Sequence, residues 1–117
     1  MSTVDVTSER AVGAALERFA RHARARYPVV AAYLYGSRAR GDDIRQSDVD
    51  VALILDETGE DRLPALKREL ADLAFDILLE TGVYIQHVVI ARRHWSSPET
   101  FSNPALIQNI RREGRPI

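Results

Sequence analysis

Apolar residues along this chain recur in two distinct rhythms. Val12, Leu16, Phe19 and Ala23 step by three and four, which predicts a helix over residues 7–26 with Thr7 or Ser8 as its cap. Arg10, Arg18, Arg21 and Arg24 fall on the other faces, and Pro28 makes Tyr27 the exit point. Residues 29–35 are a short apolar run rich in β-branched and aromatic side chains, the pattern of a buried strand, and Gly36-Ser37 ends it abruptly. After the turn residues Gly41-Asp42-Asp43, residues 47–56 alternate, with Val49, Val51, Leu53 and Leu55 on one face of a second strand. The helical rhythm returns over 62–80 in Leu63, Leu66, Leu70, Leu73 and Ile77, with Gly82 placed to cap the C-terminus. Residues 83–90 predict a third strand, 97–104 a loop marked by Ser97-Pro98 and Asn103-Pro104, and 104–113 a last helix carrying Leu106, Ile107 and Ile110. Helix, strand, strand, helix, strand, helix describes an α/β or α+β chain with a small sheet covered by helices.

Composition narrows the function. The 117 residues suit one domain, 1–117, and 45% hydrophobic residues supply one modest core. A net charge of −1 provides no global basic field, so long nucleic acid is not the expected partner. The absence of cysteine excludes disulfides, thiolate zinc sites and cysteine nucleophiles. No apolar run approaches the roughly 20 residues that span a bilayer, and the polar first ten residues lack a signal-peptide core, which points to a cytoplasmic protein.

The chemistry concentrates in residues 36–50. A glycine directly after a strand lets backbone N–H groups approach an anion, and Ser37 adds a hydroxyl, so Gly36-Ser37 is a candidate cradle for a triphosphate. Asp48 and Asp50 stand two apart in a strand, which sends both carboxylates to one side. Paired like charges of this kind are stabilised by a divalent cation, and hard oxygen donors with open positions suit Mg²⁺. Either element alone is an ordinary turn or a solvated strand edge. Together, Gly-Ser, ten residues, then Asp-x-Asp is a chance event on the order of one in a thousand for a chain of this length. Arg38 and Arg40 flank the cradle, where they either reach phosphate oxygens or pair with Asp42 and Asp43. Ser47 either orients a carboxylate or begins the strand.

Gly36, Ser37, Asp48 and Asp50 together resemble the signature of the nucleotidyltransferase superfamily that includes DNA polymerase β, and the size resembles its minimal members. The closing segment, with Ile110 and Gly114, is similar to the end of those proteins. The resemblance implies a small mixed sheet flanked by helices. It implies that Gly36 and Ser37 hold the triphosphate of ATP, that Asp48 and Asp50 bind two Mg²⁺ ions, and that an acceptor hydroxyl attacks the α-phosphate. Minimal nucleotidyltransferases commonly act beside a helical HEPN protein. In such toxin–antitoxin pairs the HEPN ribonuclease is the toxin and receives AMP on a tyrosine. The family supplies a third carboxylate from a following strand, and the corresponding position here is Gln86. An amide oxygen can ligate a metal but cannot take a proton as a carboxylate does. Three readings follow: a protein-modifying nucleotidyltransferase, a non-catalytic antitoxin that neutralises by binding, and a small-molecule nucleotidyltransferase.

The remaining candidates read as structural. Tyr35 is expected in the core, His22 on a solvated helix face, His87 on the face opposite Gln86, and His94 in a loop beside Trp95. Trp95 and Phe101 either anchor that loop or form a partner surface. Arg111, Arg112 and Arg115 form a basic end suited to a helix dipole, or to an acidic partner or RNA.

Overall fold

The structure, a computed structural model, describes residues 9–36, 49–56 and 62–117. Helix α1 (Glu9–Arg26) leads into β1 (Val29–Tyr35), and β2 (Val49–Leu55) into α2 (Leu63–Thr81) and β3 (Ile85–Ala91). A short helix α3 (Arg92–Ser96), a 3₁₀ turn (Pro98–Thr100), α4 (Pro104–Glu113) and the two-residue β4 (Arg115–Pro116) complete the chain. The sheet runs β3-β2-β1-β4. β1 is antiparallel to both neighbours, whereas β2 and β3 are parallel, joined by the α2 crossover that parallel strands require. This is the mixed sheet flanked by helices, an α+β fold.

β2 shows why the strands lie where they do. Val49, Val51, Leu53 and Leu55 turn to one side and pack with Val12, Leu16, Phe19 and Ala23 of α1 and Leu66, Leu70, Leu73 and Ile77 of α2. Ala52 and Ile54 turn to the other side, against Ile90 of β3 and Ile107 and Ile110 of α4. A strand covered on both faces needs a near-continuous apolar run, and VALIL supplies it. α2 ends where Gly82 adopts φ 78°, a left-handed cap whose N–H donates to the Leu78 carbonyl at 2.8 Å. Pro64 opens the same helix, where its missing N–H costs nothing.

Three features depart from the sequence expectations. The region after β3, read as a loop, contains α3 and the 3₁₀ turn. The last strand was not expected: β4 pairs Arg115 and Pro116 with Leu34 and Tyr33, and the Ile117 N–H donates to the Ala32 carbonyl at 3.0 Å. Two paired residues carry no alternation from which a strand could be read. His22, expected on a solvated face, is half-buried, with Nε2 3.6 Å from Glu69 Oε1 of α2. Glu69 also accepts from Tyr27 and pairs with Arg26, tying α1 to α2. The expected caps Thr7 and Ser8 lie outside the described residues. No helix among the described residues is long and apolar enough to cross a membrane.

Candidate active site

One end of the sheet gathers the last residues of β1 and the first residues of β2 and β3. There the strand register sets Asp50 directly between Tyr35 and Gln86. Residues paired across a sheet share a face, so the three side chains form one row on the side of Ala52 and Ile54.

Gly36 closes the row from the end of β1. Its φ of 78° lies in the left-handed region that side chains disfavour. A Cβ built there would stand 2.6 Å from Asp50 Oδ2 and 3.4 Å from Asp50 Cγ. The carboxylate therefore occupies the space that any side chain at position 36 would need. Glycine is required here twice, for its backbone conformation and for the approach of an acidic group.

Tyr35 was expected in the core, and it does pack beside the Ile54–Ile107 cluster. It also faces Asp50. Burial, and secondarily the Asp50 charge, push its phenol up to about 12. At neutral pH Tyr35 is a hydroxyl donor and not a base. Sequence reasoning missed this role because Tyr35 and Asp50 stand 15 positions apart, too far for local pattern to set their pairing. The available signal was its place immediately before Gly36.

Gln86 is exposed and its register partner is Asp50, so the residue read as replacing a third carboxylate stands beside the carboxylate it would complement. His87 turns to the opposite face, as expected, with its ring 5.6 Å from that of Phe19. Burial holds its imidazole below the usual range. The unfolded chain therefore binds a proton more readily than the folded one, and His87 favours folding fully above about pH 6.5 but less as pH falls below it. Urea midpoints measured from pH 5 to 7 should fall on acidification less steeply in His87→Leu than in the wild type.

Ser37, Arg38, Arg40, Ser47 and Asp48, together with Asp42 and Asp43, lie outside the described residues. Among the described residues no group of three histidine, aspartate or glutamate side chains could hold a metal ion. The other candidates serve the fold. Trp95 stacks on Tyr33 at 5.3 Å, Arg111 lies over its ring at 4.8 Å, and Phe101 packs against the same cluster. Arg111 also donates to the Trp95 carbonyl, so this member of the basic end holds α3 to α4. His94 pairs with Thr100 at 2.8 Å across the 3₁₀ turn.

Gly36 and the strand-borne Asp50 carboxylate thus stand together at one end of a mixed four-stranded sheet. The family described as Polymerase beta, Nucleotidyltransferase matches residues 18–93. The chain belongs to that family, which is one of transferases. Two solved structures share the fold. One, a candidate nucleotidyltransferase from Sulfolobus solfataricus, is 14% identical with a TM-score of 0.56, over 99% of this chain and 87% of that one. The other, a toxin–antitoxin complex with AMP-PNP, is 20% identical with a TM-score of 0.58, over 88% of this chain and 69% of that one. No curated protein matches the chain in sequence.

Proposed function

We propose that this protein transfers a nucleoside monophosphate, AMP from ATP, to a hydroxyl of a partner protein. The carrying observation is the Asp50 carboxylate bedded against Gly36 and flanked in register by Gln86. The donor set fits a hard cation: the carboxylate, its sequence neighbour Asp48 two residues away, and the Gln86 amide oxygen. Mg²⁺ held by Asp48 and Asp50, with Gln86 as a further oxygen donor, would supply charge neutralisation at the phosphates.

The chain's own residues do the rest. Gly36 and the Ser37 hydroxyl would hold the triphosphate, and Arg38 and Arg40 would offer forked donors to its oxygens. The acceptor oxygen bonds to the α-phosphorus, the bond to the bridging oxygen breaks, and pyrophosphate leaves. The acceptor's proton goes to an aspartate or to water. Tyr35 already holds its proton, and the Gln86 amide cannot accept one.

The partner reading is supported by the toxin–antitoxin complex among the similar structures, whose nucleotide is AMP-PNP. Together with the motif resemblance, it makes a tyrosine of a HEPN ribonuclease toxin the proposed acceptor and this chain the antitoxin. The test is incubation with Mg²⁺ and α-labelled ATP, with and without the protein encoded beside this one. Label is expected on the partner. Absence of label in a mixture that still forms a complex overturns catalysis and favours the second reading, an antitoxin that acts by binding.

Gln86 is the observation behind that second reading, and it yields a prediction. Gln86→Glu places a third carboxylate beside Asp50 and should raise transfer at least about tenfold, read as initial rates of label incorporation. An unchanged rate would mean that proton removal at this position does not limit the reaction.

A further inference from the structure

β3 forms one border of the sheet. The Val49 N–H donates to the Tyr84 carbonyl at 3.0 Å, and Val49 pairs with Ile85. Main-chain groups of residues 84, 86 and 88 therefore turn toward β2, and those of Ile85, His87 and Val89 turn to the open side. Among the described residues no strand lies there. The strand reads IQHVVIA, so charge and proline, two of the usual protections of a sheet edge, are missing. Two cavities of about 350 Å³ follow this border, one between Ala71, Phe75, Tyr84 and Gln86, the other between Lys67, Val88 and Phe101. Phe75 and Tyr84 are 56% and 44% exposed, large for aromatic side chains with no structural need to face water.

We propose that the open edge of β3 docks an extended segment of the acceptor protein as an added strand, presenting a hydroxyl side chain to Asp50 from the position opposite Gln86. The proposal rests on the nucleotidyltransferase reading and names how its acceptor is held. Continuity with the site selects this occupant, because Gln86 belongs both to the border cavity and to the row with Asp50. A residue paired with Gln86 on an added strand extends that row on the same face. Its Cα stands two strand spacings, about 10 Å, from that of Asp50. The residues on either side of it turn to the other face, over Ala71 and Phe75, and should be apolar. Lys67, the chain's only lysine, borders the far cavity and favours an acidic residue a few positions away.

The test uses the full chain, Mg²⁺ with α-labelled ATP, and the purified protein encoded beside it. Two variants probe the border: Phe75→Asp with Tyr84→Asp, which changes exposed side chains, and Val89→Pro, which removes an outward N–H where an edge strand tolerates proline. In both, complex formation and label transfer should weaken at least tenfold, while ATP affinity stays within twofold of the wild type. Transfer within twofold of the wild type in both variants would overturn the docking and leave the nucleotidyltransferase reading standing. Failure of the wild type to bind Mg²⁺–ATP would overturn that reading, and the docking with it. A homodimer of the chain alone, split by the same variants, would assign the edge to a second copy and overturn the proposal.

Discussion

Asp50→Asn is expected to lower nucleotidyl transfer by at least about a thousandfold while leaving the fold intact. Asparagine has the shape of aspartate, so the contact with Gly36 keeps its volume. It lacks the charge that holds a cation opposite the phosphates, and that charge stabilises the transition state more than the bound substrate. The loss should therefore appear in kcat as well as in kcat/KM. A second readout reports the same carboxylate without any substrate. With the charge removed, the Tyr35 phenol should ionise at lower pH than in the wild type, though still above the ordinary tyrosine value because burial is its larger cause. Phenol titration by carbon NMR would measure it. Transfer that persists in Asp50→Asn would remove Asp50 from the chemistry, and an unmoved Tyr35 titration would contradict the register that pairs them.

Gly36→Ala has the second largest expected effect, from a single methyl group. Two costs combine. An L-residue at φ 78° is strained by about 1–2 kcal/mol. The new Cβ would also meet Asp50 Oδ2 at 2.6 Å, closer than such atoms come. The carboxylate must move, and a displacement of about 1 Å in a catalytic group typically costs about a hundredfold in rate. Gly82→Ala separates the two effects, since Gly82 has the same φ of 78° at the α2 cap and takes no part in the Gly36–Asp50 contact. Both variants should lose stability in urea titrations, and only Gly36→Ala should lose transfer. Equal losses of transfer would mean that the glycine serves the backbone alone.

Much of the architecture is legible in the residue pattern, because burial periodicity is a local property. Leu66, Leu70, Leu73 and Ile77 step along one face of α2, and they are the residues found in the core. Gly82 follows that stripe and caps the helix as its position predicts. Val49, Val51, Leu53 and Leu55 alternate and share one side of the sheet. His22 was misread for a non-local reason. Its surroundings in sequence are arginines, but Glu69, far along the chain, is the group beside it. β4 escaped for a similar reason, since what makes Arg115 and Pro116 a strand is the free edge of β1 beside them.

The sequence by itself singled out the candidate residues: a glycine and serine after a buried strand, two aspartates at strand spacing, and a glutamine in the third strand. Residue type and spacing suffice to single them out, because alternation along a strand predicts both carboxylates on one side. Tertiary structure alone decided which of these groups meet. Pairing between strands depends on how hydrophobic faces register across segments distant in sequence, and a shift of one residue would turn Gln86 away from Asp50 and His87 toward it. The same pairing brings Tyr35 against the carboxylate and places Asp50 in the space a side chain at Gly36 would fill. It also leaves β3 at the border of the sheet, a matter of strand order that no property of the strand's own residues encodes.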